Sequence, residues 1–226
     1  MKTETCKFTC KAVRLPEDVE EIQYGKYWLA DAREDQVDVE GARFRDEDLS
    51  SMDLHGMTFE NSVFEHCRLE AADLQKCTFR NVLFQDCLLA GARLTYSWMN
   101  QCCFRDCQMK GADFSESSIS NLTIEDSSLV YANFTSAKIR QCQLKKSDFT
   151  ECFFASCGLK QIKMEDCRFI RTDFFKTPLK GLDFTACTME GISVSDDAGE
   201  LRGAVVNLYQ AADLARLLGV EVREPF

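Results

Sequence analysis

Thirteen cysteines, two histidines and a spaced set of aspartates are the residues of this 226-residue chain with chemistry to offer. Cysteine and histidine bind zinc when their ligand atoms converge tetrahedrally, and a cysteine beside a histidine can act as an activated nucleophile. The spacing argues against both. Ten of the cysteines (Cys67, Cys77, Cys87, Cys102, Cys107, Cys142, Cys152, Cys157, Cys167 and Cys187) stand two residues before a member of one apolar series. Ala72, Ala92, Ala112, Ser117 and Ala132 fill the same slot elsewhere, so the slot selects a small inward side chain, and cysteine serves there as a small hydrophobe. Stacked thiols such as Cys67, Cys87 and Cys107 would point in parallel instead of at one ion, and would be poorly aimed for disulfides. His55 and His66 fall at outward positions, and His66-Cys67 divides its side chains between outside and inside. There is no Walker loop, no GxGxxG after a strand and no GxSxG. The expectation is a chain without catalysis, metal or cofactor, its thiols reduced.

The aspartates behave differently. Asp46, Asp86, Asp106, Asp126 and Asp166 are separated by multiples of twenty, the remaining members of that series being His66, Lys146 and Ala186. Glu65, Glu125 and Glu165 each stand one residue before it. Two readings stay open. Aspartate at a tight corner can cap turn amides. Alternatively, carboxylates stacked ~4.8 Å apart form a track of charge comparable to the phosphates of a DNA strand, which recur about every 3.4 Å. Arg45 and Arg105 dilute that track. A second series, Asn61, Asn81, Gln101, Asn121, Gln141 and Gln161, stacks amides that can bond to one another and is expected to be structural. Arg80, Arg140, Lys160 and Lys180 share its side, so one side should be acidic and another polar to basic.

What must position these columns is legible in one register. From Phe44 to Val194, 31 residues spaced five apart are all Phe, Leu, Met, Ile or Val. An α-helix advances about 100° per residue, so steps of five would scatter these side chains round the cylinder. A strand changes face at every residue, so steps of five would put alternate members in water. The chain must turn a corner once per pentapeptide, which makes a solenoid. Residues 39–195 are its expected extent, with 1–38 an N-terminal extension or cap and 196–226 a C-terminal cap. In the last segment Asn207 with Gln210 reads as a capping box. Leu208, Ala211, Ala212, Ala215 and Leu218 then follow helical spacing over about 207–218, as cap or dimer contacts, with Gly219 as the stop. In the first segment, Cys6 to Val13 reads as a strand broken by Pro16, and residues 17–35 as charged and irregular.

Charge and composition narrow the partner. The net charge of −10 divides as −3, −4 and −3 over the three segments, so the acidity belongs to the whole length. Direct nucleic-acid binding needs a basic footprint and is disfavoured; a basic protein partner is easier to accommodate. No apolar run approaches a membrane span, and Met1-Lys2-Thr3-Glu4-Thr5 opens no signal peptide, so a cytoplasmic location is expected.

Ala72-Asp73-Leu74, Ala112-Asp113-Phe114 and Ala132-Asn133-Phe134 resemble the pentapeptide repeat, Ala-Asp/Asn-Leu-x-x. The resemblance implies an all-β solenoid: a right-handed quadrilateral β-helix of twenty residues per coil, here about eight coils and roughly 37 Å long, with a C-terminal capping and dimerisation α-helix. Thr177-Pro178-Leu179-Lys180-Gly181-Leu182-Asp183-Phe184 and Leu201-Arg202-Gly203-Ala204-Val205-Val206 further resemble the close of the quinolone-resistance pentapeptide proteins of Gram-positive bacteria. What this implies is a homodimer joined through the C-terminal helix, which mimics DNA on a type II topoisomerase (DNA gyrase or topoisomerase IV) and modulates it or protects it from fluoroquinolones. The related proteins of Gram-negative bacteria carry loops between coils, and the unbroken register leaves no room for them here. Pentapeptide solenoids also serve as interaction modules with other partners, and fold alone does not choose between these.

Overall fold

The computed structural model describes residues 10–17 and 19–223. Each pentapeptide forms one side of a four-sided coil, and residues twenty apart stack. Every fifth residue from Asp46 to Gly181 has positive φ. That conformation is unfavourable for any residue with a Cβ. It is held by bonds between coils: the corner amides of Asp46, Asp86 and Asp126 donate to the carbonyls of Glu65, Arg105 and Lys145 at 3.0, 3.0 and 3.2 Å.

Two sides are continuous parallel ladders. The Phe59 side stacks Thr58–Glu60, Thr78–Arg80, Trp98–Asn100 and Ser118–Ser120; the Phe44 side stacks Ala42–Arg45, Val63–Glu65, Leu83–Gln85, Cys103–Arg105 and Thr123–Glu125. They merge in the longer strands Lys138–Lys145 and Gly158–Glu165. The Leu49 and Leu54 sides are joined mainly by single bridges such as Asp48 with Arg68 and Asp53 with Asp73. The central apolar residues fill the interior, Phe44, Phe64, Phe84 and Phe104 stacking with centroids 5.0, 4.9 and 4.6 Å apart.

The small slot is polar as well as small. Cys77, Cys87 and Cys152 donate their thiols to the carbonyls of Leu54, Phe64 and Leu129 at 3.0, 3.3 and 2.8 Å, and the Thr172 hydroxyl reaches Phe149 in the same way at 2.8 Å. Each bond ties a corner to the preceding coil, which is why Cys, Ser and Thr recur where packing alone would accept Ala.

Both ends differ from the sequence expectation. Within the stretch expected to be irregular, residues 25–34 are helical: helix α1 (Gly25–Glu34) covers the first coil, with Leu29 and Ala32 buried and Trp28 6.0 Å from Phe44. Its N-terminus has no local side-chain cap. The Glu47 carboxylate accepts from the Gly25 and Lys26 amides at 2.6 and 3.3 Å, so the cap comes from the first coil and leaves no local sequence signal. Of the expected strand Cys6 to Val13, residues 6–9 lie outside the described residues. Residues 10–13 form no strand but cross the coils: the Lys11 amide donates to Asn121 Oδ1 at 3.1 Å, and Arg14 exchanges two 2.7 Å bonds with Asn81. The amide column therefore holds this segment as well as itself, Asn81 Nδ2 also donating to Asn61 Oδ1 at 2.7 Å.

At the other end the winding continues past Val194. Leu179, Gly181 and Phe184 donate to the carbonyls of Glu200, Gly203 and Val205, giving about nine turns where eight were expected. Helix α2 (Leu208–Leu217) follows with both halves of the Asn207–Gln210 capping box formed.

Candidate partner-binding surface

The acidic column lies along one corner of the rod. Asp46, Asp86, Asp106, Asp126 and Asp166 are all exposed and all have φ between 50° and 56°. Left-handed backbone favours Asp and Asn, which would account for the column without function. The other corners test that account. With the same backbone, the Leu54-side corner carries Lys76, Tyr96 and Glu116, and the Leu49-side corner Ala71, Tyr131, Glu151 and Arg171. Conformation therefore does not demand aspartate.

Amide capping does not account for the column either. The carboxylates that close turns stand just before the central apolar residue. Asp48, Asp53, Asp73, Asp113, Asp148 and Asp173 accept from the amide two residues on, at 2.9–3.1 Å. The column makes different contacts: His66 lies between Asp46 and Asp86 at 3.4 and 3.7 Å, and Gln85 Nε2 bridges Asp86 and Asp106 at 2.7 and 3.0 Å. These contacts hold the carboxylates in line along the rod and leave them outward.

The neighbouring glutamates are partly spent. Glu65 lies 3.0 Å from Arg45 and 3.6 Å from Arg43, and Glu125 lies 3.4 Å from Arg105. Glu165 is exposed beside Asp166. Surface pairs of this kind add little stability, but they remove Glu65 and Glu125 as free charges. Asp86, Asp106 and Asp126 form the uninterrupted stretch, with Lys146 breaking the line before Asp166.

At the C-terminus, the contacts on the last coil fall to Gln210 and Leu214. Gln210 is buried and donates to the carbonyls of Phe184 and Cys187 at 2.9 and 2.7 Å, and Leu214 packs on the core. Of the residues expected from spacing, Leu208 is 81% and Leu218 58% exposed, Ala211 faces solvent, and Ala212 and Ala215 are half-buried. Tyr209, Val205 and Val220 are exposed nearby. The helix caps with one face and offers an apolar strip with the other.

Among the described residues no three His, Cys, Asp or Glu side chains form a metal-binding group, and no helix is long and apolar enough to cross a membrane. Burial pushes the Cys102 and Cys142 thiols up to about 12. Cys187, half-buried, moves below the ordinary thiol value because the Cys167 thiol hydrogen-bonds to its sulfur and favours the thiolate. Brief iodoacetamide treatment near neutral pH should therefore label Cys187 before any other described cysteine, with Cys102 modified only on unfolding. Peptide mass mapping that found Cys102 and Cys187 labelled together in the native protein would refute this.

Comparison with known proteins agrees with the winding. A pentapeptide repeat region matches residues 57–134, and a model of eight pentapeptide repeats matches residues 127–162. No curated protein matches the chain. Among solved structures, a trypsin-treated form of QnrB1, a plasmid-mediated fluoroquinolone resistance protein, is similar at 21% identity over 83% of this chain and 92% of its own, with a TM-score of 0.33. Full-length QnrB1 is similar at 18% identity over 79% and 100%, with a TM-score of 0.33. HetL of the cyanobacterium Nostoc sp. strain PCC 7120, a pentapeptide repeat protein involved in heterocyst differentiation regulation, is similar at 13% over 75% and 89%, also with a TM-score of 0.33. With its five-residue register wound into four-sided coils, this chain carries pentapeptide repeats, matched by the family models over residues 57–162.

Proposed function

We propose that this protein is a non-enzymatic, DNA-mimicking binding protein that acts as a homodimer. Its acidic corner occupies the DNA-binding surface of a type II topoisomerase, DNA gyrase or topoisomerase IV, and modulates the enzyme or protects it from fluoroquinolones. The observation that carries this reading is the aspartate corner, whose composition neither the backbone nor turn capping requires. A line of carboxylates ~4.8 Å apart presents to a basic groove what a phosphate backbone presents. No bond is made or broken; charge and shape complementarity do the work. The resemblance of the chain's end to the quinolone-resistance proteins supports the choice of enzyme. The test is a supercoiling and quinolone-induced cleavage assay with gyrase and with topoisomerase IV. If adding the protein changes neither, the reading fails.

The second copy joins at α2. Leu208 and Leu218 leave apolar surface in water at the end of the rod, where a symmetric partner would bury it and double the length of the acidic track. L208E with L218E should convert the protein to monomer in analytical ultracentrifugation while leaving its circular dichroism unchanged, because neither side chain seals the core. A wild type that sediments as monomer, or a double variant that remains dimeric, would remove α2 from the interface.

A further inference from the structure

One inward slot recurs every twenty residues as Cys67, Cys87, Cys107, Ser127, Ser147, Cys167 and Cys187. The column has a direction. The slot amide of one coil points at the slot heteroatom of the next, Cys107 donating to Ser127 Oγ at 3.0 Å and Ser127 to Ser147 Oγ at 3.2 Å. At the end of the column the thiol and the amide of Cys167 are both turned on the Cys187 sulfur. The first three thiols are sealed in the rod. Cys67, Cys87 and Cys107 are wholly buried and donate to the carbonyls of Phe44, Phe64 and Phe84 at 3.3, 3.3 and 3.5 Å.

Cys187 differs because the side chain above it belongs to a helix and not to another coil. Gln210 of α2 stands there, its Nε2 donating to the carbonyls of Phe184 and Cys187 at 2.9 and 2.7 Å. Cys187 is half-buried and opens on a cleft of about 160 Å³, lined also by Asn207, Tyr209, Gln210 and Asp213. That is room enough for a polar molecule little larger than water. Beneath, the backbone register is fixed: Arg168 pairs with Thr188, and the Thr188 amide donates to the Cys167 carbonyl at 2.9 Å. Coils stacked ~4.8 Å apart put the two Cα atoms within the range of disulfides, about 4.4–6.8 Å. Parallel thiols must still turn toward each other, bringing their Cβ atoms about 1 Å closer. Coils on both sides resist that in mid-rod, whereas the cleft beside Cys187 gives it room to turn. The bonds from Cys167 also favour the Cys187 thiolate, against burial and the charges of Asp166 and Asp183, and the thiolate is the form that peroxides oxidise.

We propose that Cys187 is a peroxide-reactive thiol and Cys167 its resolving partner, the two forming a reversible disulfide that staples the end of the rod. The Cys187 thiolate attacks one oxygen of hydrogen peroxide and the O–O bond breaks. The second oxygen leaves as hydroxide and becomes water with the proton Cys187 had released, and Cys187 is left as the sulfenic acid. The Cys167 sulfur then attacks the sulfenic sulfur, the S–O bond breaks, and the hydroxyl departs with the Cys167 proton as a second water. Two thiols lose two electrons and one peroxide gains them. The bond ties the carbonyl that anchors Gln210, and so the base of α2, to the coil beneath. The test is brief exposure of the intact folded chain to hydrogen peroxide, followed by alkylation, denaturation and non-reducing tryptic mapping. The peptide of residues 164–168 should appear joined to that of residues 181–202. It should form at least about tenfold faster than any link through Cys67, Cys87 or Cys107, and dithiothreitol should reverse it. C167S leaves the sulfenic acid unresolved, so dimedone should trap it at Cys187, and C187S should abolish the fast reaction. Serine already fills this column at Ser127 and Ser147, so both variants should keep the circular dichroism of the wild type. Absence of the Cys167–Cys187 link, a disulfide among Cys67, Cys87 and Cys107 formed as fast, or a folded C167S variant without a dimedone adduct at Cys187 would each overturn the proposal.

Discussion

A D86K/D106K/D126K variant is expected to lose its effect on the topoisomerase while retaining its fold. The fold should survive because lysine already occupies this kind of corner: Lys76 and Lys146 sit at φ 56° and 43°. None of the three aspartates caps a turn amide; what is lost is the pair of bonds from Gln85 and the contact of Asp86 with His66. The functional loss should be large because each substitution replaces attraction by repulsion against a basic groove. At roughly 1 kcal/mol or more per exposed charge reversed, three reversals cost about 4 kcal/mol, on the order of a thousandfold in affinity. The complementary change is K146D, which would close the gap between Asp126 and Asp166 and should tighten binding. Both effects should shrink with added salt. A folded triple variant that still protects the enzyme in the cleavage assay would exclude the column as the contact, whatever the partner.

How much of this was legible in advance depended on whether the cause was local. The corner per pentapeptide follows from the apolar register, because no other winding keeps Phe44, Leu49, Leu54 and Phe59 all inside. The capping box of α2 follows from Asn207 and Gln210, three residues apart. Helix α1 was hidden because its cap is Glu47, supplied by the first coil, although Gly25, Leu29 and Ala32 do share one helical face. Residues 10–13 read as the end of a strand, yet what holds this stretch and Arg14 is Asn121 and Asn81, far along the chain. The thiols were read as packing alone; only the wound backbone brings each one under a carbonyl of the preceding coil. The change of bonding at Pro178 was half visible: proline announces a missing donor, but the shift of the Asp166 amide to the Ala186 carbonyl, where Asp126 meets Lys145 and Lys146 meets Glu165, needs the wound backbone. The acidic corner shows the converse case: its residues were evident, and the structure supplied the comparison with Lys76, Tyr96 and Arg171 that separates charge from conformation.

The largest stability effect should come from opening the phenylalanine stack in mid-rod. Phe84 is fully buried, lies 4.9 Å from Phe64 and 4.6 Å from Phe104, and meets Phe79 edge-on at 5.8 Å. Phe→Ala in such a core costs about 3–5 kcal/mol, and the stacked contacts add to the loss. In a compact domain the surroundings relax towards the cavity from several directions. In a solenoid each coil touches only its neighbours, so Phe64 and Phe104 have no third layer with which to close the hole, and the cost should fall at the upper end. For a chain of this size that corresponds to a melting temperature lowered by roughly 8–20 °C. One-dimensional packing adds a second consequence: a weak coil in the middle uncouples the two halves, so the unfolding transition should broaden or divide. F153A makes the same chemical change at a residue 45% exposed on the outer wall, and should cost no more than about 1 kcal/mol. F84L, which places in the stack a residue already used at Leu49 and Leu54, should recover most of the loss. Calorimetry of F84A and F153A decides the matter: equal shifts would mean that the stack does not hold the rod together and that the coil-to-coil hydrogen bonds do.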